Sequence, residues 1–161
     1  MKELRFDEEK AKDLFFKFKK DSFLKFLSLT DLVELFDLSS LQEYEDGEYI
    51  IEQGQLDDLI FILLSGEVEI VRDNAVINTL DKAGEVFGEM RLISDEKRSA
   101  SAKAKGRVES LAISTSYLDG ERTSPQSVLF YIFSKILVHR LKIENQKLSS
   151  AKNEIRRLKK E

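Results

Sequence analysis

Gly88, Glu89, Arg98 and Ser99 are the residues whose types and spacing can do chemistry together in this chain. Gly88 has no Cβ, so a backbone at that point can come close to another group. The amides that open the next turn, around Met90, point at the same place, and the start of a helical turn favours an anion. Arg98 supplies a planar, permanently charged fork suited to phosphate. Ionised Glu89 can only accept hydrogen bonds, which suits a hydroxyl rather than a second phosphate. Phosphate on one side and a hydroxyl on the other describe a ribose phosphate.

These residues sit in Gly84-Glu85-Val86-Phe87-Gly88-Glu89-Met90-Arg91-Leu92-Ile93, closed by Lys97-Arg98-Ser99-Ala100-Ser101. Phe87-Gly88-Glu89-Met90 followed by Arg98-Ser99-Ala100-Ser101 resembles the phosphate-binding cassette of cyclic nucleotide-binding domains. The resemblance extends to Gly47-Glu48-Tyr49-Ile50-Ile51-Glu52-Gln53-Gly54 and Phe61-Ile62-Leu63-Leu64-Ser65-Gly66-Glu67-Val68, and covers residues 28 to 145. Several ordered motifs make chance a poor explanation. By this resemblance Glu89 binds the ribose 2′-hydroxyl and Arg98 the cyclic phosphate, with Ser99 and the amides near Met90 completing the phosphate shell. Gly88 gives the sugar room, and Ala100 is small because its strand passes beneath the ligand. Val86, Leu92 and Ile93 form the apolar wall and hinge. The expected ligand-binding set is therefore Phe87, Gly88, Glu89, Met90, Arg98, Ser99 and Ala100. Arg91 departs from the pattern, standing where relatives usually carry a small residue.

The elements around the cassette follow from composition and period. A chain of 161 residues suffices for one domain with a real core. Its 42% hydrophobic and 35% charged content is soluble globular material with charge to spare for exposed helices. No apolar run reaches membrane-span length, and Met1-Lys2-Glu3-Leu4-Arg5 lacks the apolar core of a signal peptide. The expected location is cytoplasmic, with no membrane partner. A net charge of −4 argues against a nucleic-acid binder.

Residues 7 to 26 read as helical, with Leu14, Phe15 and Phe18 at helical spacing. The phenylalanines gathered there either cover one end of a barrel or form a docking face. Thr30-Asp31 reads as the next helix start, with Leu32, Leu35 and Phe36 as its apolar face. From 41 to 114 the texture is of short strands: 41–44, 49–52, 59–64, 67–72, 76–80, 99–104 and 109–113. Asp46-Gly47, Gln53-Gly54, Ser65-Gly66 and Asp73-Asn74 are the turn signals between the first of them. Leu59 to Leu64 does not alternate, so that strand should be covered on both faces or cross the core. The predicted fold class is mainly β with flanking helices, an antiparallel β-roll or jelly-roll barrel.

Ser124-Pro125 starts a helix that can run to the end of the chain, roughly 55 Å at 1.5 Å per residue. Phe130, Phe133 and Leu137 are expected to pack on the barrel. Further on, Leu141, Leu148 and Ile155 recur every seven residues, with Leu137, Glu144, Ala151 and Leu158 four behind or three ahead of them. That seam predicts a two-stranded coiled coil and a homodimer through residues 125–161. Glu144, with Asn145 beside it, breaks the seam. By the resemblance to catabolite-activator relatives, marked by His139-Arg140-Leu141, this stretch lies over the bound base. The two residues are either base contacts or polar residues that set coiled-coil register.

The expected organisation is helices over 1–38, a binding barrel over 39–118 and the long helix over 124–161. An enzyme is not expected. One histidine, His139, builds no multi-histidine metal centre, and no cysteine means no disulfide or iron–sulfur cluster. Catabolite-activator relatives continue into a helix-turn-helix domain where this sequence ends, so no direct DNA reading is expected. Two functions stay open. One is a stand-alone receptor for a cyclic nucleotide, with no further cofactor, that signals to a separate, unidentified protein partner through its helices. Cyclic AMP is favoured over cyclic GMP there; a threonine after the matching arginine often accompanies cyclic GMP in the family, and Ser99, which stands here, fits either nucleotide. The other is a degenerate domain serving as a dimeric interaction module without ligand.

Overall fold

The computed structural model describes residues 2–4, 8–21, 27–92, 96–115 and 124–158. In chain order the elements are β1 (Lys2–Leu4), α1 (Glu8–Asp21), α2 (Leu29–Asp37), β2 (Ser40–Tyr44), β3 (Tyr49–Ile51), β4 (Leu59–Arg72), β5 (Ala75–Leu80), β6 (Val86–Phe87), a 3₁₀ turn (Glu89–Leu92), β7 (Ser101–Ser114) and α3 (Ser124–Leu158). The strands pair antiparallel in the order β1-β2-β7-β4-β5, with β3 also on β7 and β6 also on β4. This is the antiparallel β-roll with flanking helices expected from the strand pattern.

Two pairs of predicted strands turn out to be single long ones. The stretches 59–64 and 67–72 form β4 without a break, because Ser65-Gly66 is a bulge in the ladder with β7 rather than a turn. Gly66 has φ +91°, and a Cβ there would stand 2.4 Å from the Arg107 carbonyl oxygen, so the strand can bend only at glycine. Residues 99–104 and 109–113 merge likewise into β7. At Asp73-Asn74 the expected turn is real: both residues have positive φ (50° and 65°), as a tight hairpin with the right twist requires.

The first half of β4 splits the interior in two. Ile60, Ile62 and Leu64 face a cluster built with α1, α2 and α3, through Leu14, Phe18, Leu32, Leu35, Phe36, Ile132, Phe133 and Ile136. Phe61 and Leu63 face the barrel interior with Val68, Leu80, Phe87, Ala102 and Ala104. Both faces are therefore covered, which is why this run does not alternate. Each fully buried Leu, Ile or Phe contributes on the order of 2 kcal/mol.

The helix caps and faces differ from expectation in two places. The N-cap of α2 is Ser28, not Thr30: its hydroxyl accepts from the Asp31 amide at 3.1 Å, and Asp31 accepts from the Ser28 amide at 2.7 Å. On α3, Phe133 is buried beside Ile132 and Ile136, but Phe130 (48% exposed) and Leu137 (38%) face away from the barrel. They continue the exposed stripe of Leu141, Leu148, Ile155 and Leu158 instead. In α1, Phe18 is buried and stacks on Phe36 at 5.9 Å, whereas Phe16 is exposed. Residues 22–26, the end of the first predicted helix, lie outside the described residues. No described helix is long and apolar enough to cross a membrane.

Candidate functional site

The cassette begins where β6 pairs with Phe61 and Ile62 of β4. Phe87 is buried and stacks on Phe61 at 5.3 Å, which fixes the strand end. Gly88 follows at φ +75° and turns the chain into the 3₁₀ turn. A Cβ on Gly88 would lie 2.9 Å from Arg98 Nη1 and 3.0 Å from Ile51 Cδ1. The glycine is thus required twice, by its dihedral and by the arginine packed against it.

Arg98 is 8% exposed and held from several sides. Its Nε donates to Asp57 Oδ2 at 2.8 Å and its Nη2 to Asp57 Oδ1, a two-point pairing between fork and carboxylate. Nη2 also donates to the Leu59 carbonyl, and Nη1 to the Gly88 carbonyl at 3.0 Å. The backbone of Arg98 is tied to the β3–β4 loop as well, donating to Gln55 O at 2.9 Å and accepting from Gly54 N at 2.9 Å. A guanidinium has five N–H donors, so these four bonds leave one, on Nη1.

Glu89 does not meet Arg98. Its Oε1 accepts from Arg140 Nη1 of α3 at 2.6 Å, and the same nitrogen lies 3.3 Å from the Val86 carbonyl oxygen. Oε2 has no partner among the described residues and stays available to a donor such as a hydroxyl. The long helix is thereby bonded directly to the cassette. One turn earlier, Lys135 reaches Asp31 of α2 at 3.0 Å. Burial opposes ionisation of Asp31, but hydrogen bonds from Ser28 and Lys135 outweigh it and hold the carboxyl below its usual range.

Around these groups lies a cavity of about 280 Å³, close to the ~300 Å³ at which small-molecule pockets begin. Phe87, Gly88, Glu89, Met90, Arg98, Ser99 and Ala100, the whole expected set, line it. Ser99 also positions Arg72, whose Nε donates to the Ser99 carbonyl at 3.1 Å. Among the lining residues four cations, Arg72, Lys97, Arg98 and Arg140, stand against two carboxylates, Glu89 and Glu96, an excess that suits an anion. Val86 belongs to the helix-facing core rather than to the cavity. The side chains of Arg91, Leu92 and Ile93 lie outside the described residues.

Glu144 and Asn145 are not brought to this cavity within one chain. Both are exposed on α3, and Glu144 pairs with Lys147 at 2.8 Å, which lowers its pKa. Reading the sequence missed Asp57, Arg140, Arg72 and Asn78, all beside or within the cavity. Asp57 carries no local signal beyond following the Gln53-Gly54 turn, and Arg140 stands out in the sequence only within His139-Arg140-Leu141.

The fold and the cassette define a β-roll with an anion-favouring cavity, and sequence comparison narrows this further. Residues 41–121, half of the chain, match the model of the cyclic nucleotide-binding domain, so the chain belongs to that family. The human cGMP-dependent protein kinase 2 is 38% identical over 90 residues, covering 52% of this chain and 12% of the kinase. The cGMP-dependent protein kinase of Plasmodium berghei is 44% identical over 70 residues, 44% of this chain and 8% of that protein. The chain thus matches only about a tenth of these curated relatives. Among solved structures, CBD2 of PKAR with Sp-2Cl-cAMPS bound superposes with a TM-score of 0.64 at 27% identity, over 86% of this chain and 88% of that one. A cyclic nucleotide-binding domain from Methylobacillus flagellatus KT gives 0.68 at 17% identity, over 93% and 88%, a likeness of fold alone.

Proposed function

We propose that this chain is a receptor for a purine cyclic nucleotide, cyclic AMP ahead of cyclic GMP, that passes its signal to a separate protein through its helices. The observation that carries the reading is the arrangement of Arg98 and Glu89 around one cavity. A buried guanidinium keeps one N–H, and a carboxylate keeps one oxygen, so that an anion and a hydroxyl can be bound together. The relatives support the ligand class from two directions: the kinases are named for cyclic GMP, and the PKAR domain was solved with a cyclic AMP analogue. The receptor's own location is proposed to be cytoplasmic.

The route of the signal is α3. A ribose hydroxyl that donates to Glu89 Oε2 draws charge from the carboxylate that holds Arg140 through Oε1, and so weakens what ties the helix to the cassette. Ligand shifts the helix only as far as its affinity differs between the two arrangements. Beyond the barrel, the exposed stripe from Phe130 to Leu158 is proposed to pair with a second copy of this chain. A seven-residue apolar repeat keeps one face toward a partner only if two helices supercoil.

The interaction-module alternative gains support from one observation. Asp57 already neutralises Arg98, so the buried arginine has a structural reason to exist without any phosphate. Calorimetry with both nucleotides separates the readings. Under the receptor reading wild type binds at least one of them, and Arg98→Ala loses ~2 kcal/mol or more. Equal binding by wild type and variant removes the site assignment, and no binding by wild type promotes the module.

A further inference from the structure

Past its buried residues, α3 carries a stripe that the described residues of one chain leave open. Leu141, Leu148, Ile155 and Leu158 are each more than half exposed, and Ala151 is exposed with them. Leu141, Leu148 and Ile155 form one row of the heptad seam, and Glu144, Ala151 and Leu158 form the other. The charges that flank a seam decide which way a second helix lies on it. Here Lys147 and Glu154 border it on one side, Asn145 and Lys152 on the other, all of them exposed.

In a parallel pair each seam residue faces its own copy. Glu144 then stands against Glu144 in the core, two like charges taken out of water together. A flanking residue meets the one five further on in the other chain, so Lys147 meets Lys152, a second like-charge pair. By sequence one opposite pair remains, Glu154 with Lys159. The bond from Lys147 to Glu144 within each helix, 2.8 Å long, is exposed and offsets little of the repulsion.

Turning the second helix around changes each of these contacts. One row now faces the other, and centring the pair between Ser149 and Ser150 sets Leu141 against Leu158, Leu148 against Ala151 and Ile155 against Glu144. Flanking residues of the same side face each other, so Lys147 meets Glu154, twice by symmetry. No two carboxylates meet, and Glu144 keeps its own lysine. The register is fixed as well: a shift of one heptad sets Lys147 against Lys147 in one direction and Glu154 against Glu154 in the other.

We propose that a second copy of this chain lies antiparallel on α3, in the register that sets Lys147 against Glu154. This rests on the reading of the stripe as a pairing face and adds its direction. Leu158 of each copy then lies beside Leu141 of the other, next to the Arg140 that bonds Glu89 at the cavity. The basic end of each helix, with Arg156 and Arg157, is thus delivered to the neighbourhood of the other copy's cassette. The helix pair links the two cassettes rather than tethering the chains far from both.

The chain has no cysteine, so single introduced cysteines report the direction. Leu141→Cys and Leu158→Cys both fall at exposed positions, and unchanged melting temperatures check their folds. An antiparallel pair holds the two Leu141 positions, and likewise the two Leu158 positions, about 25 Å apart along the helices. That is beyond the reach of a disulfide. Diamide oxidation at micromolar concentration should therefore cross-link a mixture of the two variants but neither variant alone. Lys147→Glu should weaken the dimer by about tenfold, and adding Glu154→Lys should restore it. A covalent dimer from either cysteine variant alone, or a dimer tightened by Lys147→Glu, overturns the direction. So does an uncross-linked mixture while light scattering still gives twice 18.6 kDa, and in all three cases the pairing itself stands. A single-chain mass for the wild type overturns both.

Discussion

Asp57 and Arg98, 41 residues apart in sequence, form a two-point ion pair beneath the cassette. The arginine side chain is 7% exposed and the aspartate 30%, so the pair has one dry partner and one that still sees solvent. That asymmetry gives the carboxylate two roles. It orients the fork so that its last N–H lines the cavity, and it competes with any phosphate that approaches.

Removing the carboxylate separates those roles. Asp57→Asn should destabilise the ligand-free protein by ~2 kcal/mol, because a buried guanidinium loses its counter-charge. A bound phosphate replaces that charge, so cyclic nucleotide should raise the melting temperature of Asp57→Asn more than that of wild type. Thermal unfolding with and without nucleotide measures it; equal shifts in the two proteins would sink the competition.

Gly88→Ala adds one methyl where φ is +75° and the Arg98 fork is 2.9 Å away. The dihedral alone costs ~1 kcal/mol or more, and the contact must push the guanidinium off the Gly88 carbonyl. Denaturant unfolding should show the loss of stability, and calorimetry a nucleotide affinity reduced with it. A variant with wild-type stability would mean that the turn relaxes freely.

The acid side of the stability profile follows from Asp31. Its folded pKa lies below the ordinary value of 3.8, so the unfolded chain takes up the proton more readily. The stabilisation is therefore complete above the unfolded value and is lost as pH falls through the folded one. Asp31→Asn should flatten the decline of unfolding free energy below pH ~4. It should also cost ~1 kcal/mol at neutral pH through the broken capping box. Urea titrations across that window supply the measurement, and an unchanged acid slope would contradict the assignment.

Leu148 and Ile155 are each 53% exposed on the part of α3 that extends past its buried residues. Light scattering at micromolar concentration should give twice 18.6 kDa for the wild type. Leu148→Glu with Ile155→Glu should give the single-chain mass, with barrel unfolding nearly unchanged, since neither side chain touches the barrel core. A wild type that runs as one chain would remove the coiled coil.

Residue types and short spacings determined a good deal of this protein. The cassette residues, the antiparallel strand texture, the doubly covered run through Leu64 and the heptad stripe are local patterns of burial and turn chemistry, and the sequence states them directly. Tertiary structure decided the partners. Ser65-Gly66 reads as a turn, but the ladder with β7 makes it a bend in one strand. The face that α3 gives to the barrel was set by where Ile132, Phe133 and Ile136 meet the core, which turned Phe130 and Leu137 outward. Asp57 under Arg98 and Arg140 on Glu89 join positions 41 and 51 residues apart. Periodicity records that a side chain is buried or exposed, but not what it meets; that depends on strand register and helix placement, which exist only once the chain has closed on itself.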